Sequence, residues 1–197
     1  MTLGTGAIAF GDINVELGVA RTTMRALGSA AARALAGVPS GAIRTAADFR
    51  GKSAEVILDT QTVTAGYYYR APSGKDFGDE YAGYTETGVN SPIGSISDGS
   101  SNIYGGARIC EAYQQIAIYQ NLSLGIEGTL SNSGWSKMRV LHVFSGTVYE
   151  FNRVDATFNV GNTPLSGTVS SWSWAGATGA FANYTAGQNT YTVTFIQ

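Results

Sequence analysis

From about Ser53 onward the hydrophobic positions of this chain recur with period two. Leu122, Leu124 and Ile126 share one face of a run, and Tyr191, Val193 and Phe195 oppose Thr190, Thr192 and Thr194. Such alternation predicts half-buried strands. Residues 54–64, dense in β-branched side chains, and residues 103–118, 147–151, 154–160 and 168–174 carry comparable runs. Residues 138–144 are apolar on both faces, as in a central strand. Clusters of Gly, Asn and Ser separate these runs at the spacing of a sandwich. Residues 67–101, rich in Gly, Ser, Tyr and acidic side chains, are expected to form long loops or a hairpin. No long helix is expected after residue 52. The fold expected is mainly β: a β-sandwich-like domain over 53–197, with long loops around 67–101.

Residues 1–52 follow a different rule. A short unit recurs there: an apolar residue, a small or polar step, a brief helical run, then glycine. The units are Ile8-Ala-Phe-Gly-Asp-Ile-Asn-Val-Glu-Leu-Gly18, Leu27-Gly-Ser-Ala-Ala-Ala-Arg-Ala-Leu-Ala-Gly37 and Ile43-Arg-Thr-Ala-Ala-Asp-Phe-Arg-Gly51. Asp12 suits the first helix start and Gly18 its end; Ser29 and Gly37 suit the second, with Pro39 beyond; Thr45 can cap a single turn through Phe49, closed by Gly51. Helices this short are marginal in water and need packing partners. The segment reads as an attachment piece, with a helical lid on the same chain as the alternative. Its apolar docking set is Ile8, Phe10, Ile13, Leu17, Leu35, Ile43 and Phe49.

Composition narrows the function. Charged residues make up 13% of the 197, about half the usual share, and Ser, Thr, Asn, Gly and Tyr must supply the surface instead. That suits a protein covered by partners, or an extracellular β-structure. The formal charge of −2 divides unevenly: residues 1–52 carry +3 and residues 53–197 carry −5. Neither part has the dense basic patch that phosphate binding needs, so nucleic acid is not an expected partner. The opposed signs could steer docking onto a complementary protein surface. The single cysteine, Cys110, excludes an intrachain disulfide framework. No secretory signal and no apolar stretch long enough for a membrane-spanning helix is read in the sequence.

Candidate chemistry is sparse. His142, the only histidine, alternates with Val140 and Phe144 on a strand face, and no Gly-x-Ser-x-Gly elbow accompanies it. A packed histidine is expected, and Cys110 is expected to be a buried, inert thiol. Gly4-Thr-Gly-Ala-Ile-Ala9 matches a loose dinucleotide pattern without the strand and long helix that would put a pyrophosphate on it. Asp76, Asp79, Glu80, Glu86 and Asp98 are acidic but lack the spacing of a calcium loop. No cofactor, metal or catalytic residue is assigned, and the protein is not expected to be an enzyme. Tyr67, Tyr68, Tyr69, Tyr81 and Tyr84 lie among Gly and Ser and are candidates for receptor or subunit contact, since Tyr gives large area at low entropy cost. Packing at the sandwich edge is the competing reading. Trp135, Trp172 and Trp174 are assigned to core or intersubunit packing.

Two regions carry a resemblance. Asp12-Ile-Asn-Val-Glu-Leu-Gly18, followed by Ala36-Gly-Val-Pro-Ser-Gly41 and Asp48-Phe-Arg-Gly-Lys-Ser53, resembles a segment of tailed-bacteriophage virion proteins. Gly11 stands where that pattern has Ser. Asp155-Ala-Thr-Phe158, Ser171-Trp-Ser-Trp174 and Tyr191-Thr-Val-Thr194 are similar to a β-rich module of the same proteins. The resemblance implies a virion structural protein: a tail fibre, tail-tip or baseplate-peripheral component, assembled in the host cytoplasm. Residues 1–52 would attach it to other tail proteins, and the β-domain would project toward a neighbouring subunit or a host-surface glycan or protein. A homo-oligomer is expected, a trimer being the form a fibre axis suggests. A capsid decoration or collar protein, and a carbohydrate-binding or carbohydrate-cleaving module, are the alternatives.

Overall fold

A computed structural model describes residues 3, 8–22, 29–38, 42–43, 48–51, 55–70, 79–86, 93–116, 120–163, 167–177, 179–181 and 187–197. The chain divides into two compact units, 1–56 and 57–197.

Among the described residues, the first unit holds two short helices, α1 (Phe10–Glu16) and α2 (Ala30–Ala36). Asp12 sits in the first turn of α1, and its carboxylate accepts the Ala9 N–H at 3.0 Å and meets Arg21 at 2.7 Å. Both contacts, the backbone one foremost, hold the Asp12 carboxyl below its ordinary range. Gly11 has no room for a side chain unless Arg21 moves, because a Cβ there would lie 2.5 Å from the Arg21 Cγ. The Ser29 hydroxyl caps α2 by accepting the Ala32 N–H at 3.3 Å, and Gly37 ends it in the left-handed region at φ +71°. Thr45 and Pro39 lie outside the described residues.

The second unit is mainly β, with two sheets face to face. Its strands are β1 (Ile57–Thr64), β2 (Gly66–Arg70), β3 (Asp79–Thr85), β4 (Ser95–Ile96), β5 (Ser100–Ser101), β6 (Ala107–Gln115), β7 (Leu122–Glu127), β8 (Lys137–His142), β9 (Val148–Asn152), β10 (Thr157–Thr163), β11 (Gly167–Trp174) and β12 (Thr190–Ile196). The first sheet runs β4-β1-β12-β8-β9; the second runs β10-β11-β7-β6-β3-β2, with β5 against β6. Every registered pair is antiparallel. Among the described residues of 67–101, β2 and β3 pair antiparallel and two very short strands follow, rather than loop throughout.

Alternation decides which face is inside. Val63, Tyr191, Val193, Phe195, Met138 and Val140 from the first sheet meet Ala82, Tyr84, Ala112, Leu122, Leu124, Trp172 and Trp174 from the second in one core. Trp135, from the segment between β7 and β8, joins them. Its ring stands 5.7 Å from Trp172, 6.2 Å from Trp174 and 5.5 Å from Phe195. The tryptophans therefore pack in the core of their own sandwich.

The run over residues 138–144 does not continue as a strand apolar on both faces. β8 alternates, burying Met138, Val140 and His142. The chain then turns: the His142 N–H donates to the Thr147 carbonyl at 2.9 Å and the Gly146 N–H to the His142 carbonyl at 2.9 Å. Val143 and Phe144 fall on that turn and are exposed.

The chain passes from the first sheet to the second between β1 and β2, where three glycines meet. Gly66, Gly83 and Gly94 approach so closely that a Cβ on Gly94 would stand 2.7 Å from the Thr64 carbonyl oxygen and 2.8 Å from the Gly66 nitrogen. β1 also carries a buried polar knot. The Asp59 carboxylate, 5% exposed, accepts the Thr60 N–H (2.9 Å), the Asn102 side-chain amide (3.1 Å), the Asn102 N–H (3.3 Å) and the Gln61 amide (3.3 Å). These donors take the place of water around the buried charge.

Candidate functional site

The docking set does not share one environment. Ile13 and Leu35 project from α1 and α2 into a small cluster with Leu3, Ala32, Ala36 and Phe49, against which Ile8, Leu17 and Ile43 are partly buried. These short units therefore hold an apolar cluster built from their own residues. Phe10 differs, at 56% exposed on the first residue of α1. Of the seven it is the side chain open to a partner.

The five tyrosines separate by strand parity. Tyr67 and Tyr69 lie on one face of β2 and are exposed. The Tyr67 hydroxyl donates to the Glu80 carboxylate of β3, and this bond, followed by burial, pushes the phenol up to about 12. Tyr68 and Tyr81 are register partners on the opposite face, their rings 6.2 Å apart, and Tyr81 meets Tyr113 of β6 edge-on at 5.6 Å. Tyr84 is buried in the core, its hydroxyl donating to the Glu86 carboxylate at 2.6 Å. It is not a surface contact. Tyr113 completes a half-buried aromatic row across β2, β3 and β6 that sequence reasoning missed. Its signal was the spacing of Tyr81 and Tyr113 from their strand ends, visible only once the pairing is known.

Glu80, Glu86 and Glu127 are engaged rather than gathered as a metal site. Glu86 and Glu127 both pair with Arg108, which holds the Glu127 carboxyl below its ordinary range. Glu80 accepts from Tyr67, and the Asp98 N–H donates to the Gln61 side chain. Asp76 and the Asp79 side chain lie outside the described residues, as do residues 4–7 of the Gly4–Ala9 stretch. Among the described residues no three His, Cys, Asp or Glu side chains form a metal cluster, and no helix is long and apolar enough to cross a membrane.

His142 is packed, stacked on Tyr191 with ring centroids 4.8 Å apart. Its two nitrogens meet the Ser145 hydroxyl (2.8 Å) and the Gln188 carbonyl (2.6 Å). The carbonyl can only accept, so the Nε2–H donates to it. Cys110 is fully buried and is the extra residue of a bulge, where Ile109 faces Ile126 and Glu111 faces Gly125. Burial, then the charges of Glu111 and Glu127, push its thiol up to about 12. Burial foremost and Glu111 next push the Tyr113 phenol up to about 12.

A pH prediction follows from these shifts. An unfolded thiol ionises near 8.5. Between that value and about 12 the unfolded chain loses a proton the folded chain retains. The contribution is therefore complete below pH ~8.5 and declines as pH rises. The denaturation midpoint is expected to fall progressively above that point, and the native thiol to resist an aromatic disulfide reagent until the protein unfolds. Rapid stoichiometric labelling of folded protein at neutral pH would contradict this.

The fold and its contacts define a β-sandwich with a small helical unit, equipped with packed cores and exposed aromatic side chains. No protein-family model matches the chain, and no curated protein or solved structure matches it either.

Proposed function

We propose that this chain is a structural protein of a tailed-bacteriophage virion, a tail fibre, tail-tip or baseplate-peripheral component. What supports the reading is the resemblance: two motif sets that resemble segments of tailed-bacteriophage virion proteins occur in order, one in each unit. The first covers α1 and the residues after α2; the second covers the crossing into β10, then β11 and β12. In this reading residues 1–52 dock on other tail proteins, with Phe10 offering exposed apolar area, and the sandwich projects from the particle. Its work is non-covalent interface burial, and the protein is not an enzyme. The charge-poor surface supports that role.

The test is incorporation. Protein lacking residues 1–52 is expected to keep a folded sandwich, because the sandwich buries a core of its own, but to be lost from purified particles. Particles would be assayed by mass spectrometry beside the full-length protein. Truncated protein present at the full-length level would refute the attachment role.

A second reading, a carbohydrate-contacting module, has its own support in Tyr67 and Tyr69, two exposed rings beside the Glu80 carboxylate. Rings can stack on a sugar while a carboxylate accepts its hydroxyls. Glycan binding lost on joint Tyr67→Ala and Tyr69→Ala substitution would favour it, and release of cleaved glycan would sink the non-enzymatic reading.

A further inference from the structure

We infer that β10 is a docking edge that pairs, antiparallel and about Val160, with the same strand of a second copy of this chain. Among the described residues β10 pairs only with β11, so its other side presents backbone donors and acceptors without a strand partner. Seven extended residues make an edge of about 23 Å. Val160 is 44% exposed, and a Cβ added to Gly161 would meet nothing within 4 Å.

The other edge strands of the two sheets, β4, β9 and β2, are all shorter than β10. β4 and β5 are two residues each. β9 carries Glu150, bridged by Lys137 at 3.0 Å and Arg139 at 2.6 Å, and β2 is five residues long. β10 reads Thr-Phe-Asn-Val-Gly-Asn-Thr, with no charge and no proline.

Neutrality is what selects a second copy as the occupant. Around a two-fold axis each side chain meets its own copy or a near neighbour, so a charged edge opposes like to like. Centred on Val160, the pairing sets Phe158 against Asn162, Asn159 against Gly161, and Thr157 against Thr163, with no repulsive pair. Val160 then meets its twin and leaves water. Phe158 already leans on Trp172, ring centroids 5.1 Å apart, which fixes the strand against its own sheet. The joined sheets run continuously through both copies. Such a pair is two-fold, unlike the trimer that a fibre axis suggests, and it does not depend on the virion reading.

Sedimentation of the full chain over a concentration series is expected to show a monomer–dimer equilibrium. Val160→Lys puts two ammonium groups face to face and is expected to weaken dimerisation about tenfold or more, with the thermal midpoint of the monomer little changed. Val160→Cys is expected to form an intermolecular disulfide on mild oxidation, while the wild-type chain, with Cys110 buried, does not. A wild-type chain that stays monomeric throughout, or forms a trimer, overturns the pairing. So does a dimer that a folded Val160→Lys protein forms equally well. Should that variant not fold, a Val160→Cys dimer that fails to cross-link overturns it instead.

Discussion

Replacing Trp172 with alanine is expected to remove about 3–5 kcal/mol of stability, a large part of what a domain of this size has. Trp172 is fully buried at the middle of β11. Its ring stacks on Tyr104 at 6.0 Å and meets Trp135 at 5.7 Å and Phe158 at 5.1 Å. Its indole N–H donates to the Asn132 Oδ1 at 2.8 Å, and Arg153 donates to the same oxygen at 2.9 Å. Alanine therefore opens a cavity bordered by three rings and loosens the 128–136 segment from the turn that carries Arg153. Trp172→Phe keeps most of the volume and loses the N–H, so about 1–2 kcal/mol is expected. Urea denaturation followed by circular dichroism measures both. A loss below ~1 kcal/mol for alanine would mean that the cluster does not organise the core.

Gly94→Ala is expected to cost about 2–4 kcal/mol, from two sources that can be separated. The residue has φ +66°, which an L side chain adopts at a penalty. It also lies against the Gly83 and Thr64 carbonyl oxygens and the Gly66 nitrogen, backbone atoms that cannot turn aside as a flexible side chain can. Gly146 supplies the control: its φ is +70°, yet a Cβ there would meet nothing within 4 Å. Gly146→Ala should therefore carry only the conformational penalty, about 1 kcal/mol. Equal losses at the two sites would show that the crossing has room to relax and that the close approach of the three glycines is not a constraint.

Much of the sandwich was legible because its strands bury one face. The alternation of Tyr191, Val193 and Phe195 against threonine maps directly onto β12, and Leu122, Leu124 and Ile126 onto β7. The helix caps at Ser29 and Gly37 were legible too, because capping chemistry is local. The β2–β3 hairpin is only partly legible in the sequence, since exposed Tyr67 and Tyr69 alternate with half-buried Tyr68 and give no polar–apolar contrast. The run ending at Phe144 misled for the opposite reason: turn residues Val143 and Phe144 are as apolar as the strand before them. The bulge at Cys110 and the meeting of Gly66, Gly83 and Gly94 depend on pairing between distant strands, which no single stretch encodes. The same limit kept Tyr113 out of the candidate tyrosines and left buried Tyr84 among them.

The strand order also sets a sequence of events for the newly made chain. The strands on the path from β10 to β2 lie within residues 66–174, and all of them precede β12 in the chain. The other sheet is assembled from distant stretches, and its third strand, β12, stands between β1 and β8. Without residues 190–196, β1 and β8 have no edge in common, and the inner face of the finished sheet has only part of its lid. During synthesis Leu124 and Trp172 emerge before Val193 and Phe195, with which they share the finished core. The interval between the two is the period in which an exposed apolar face is open to the wrong neighbour.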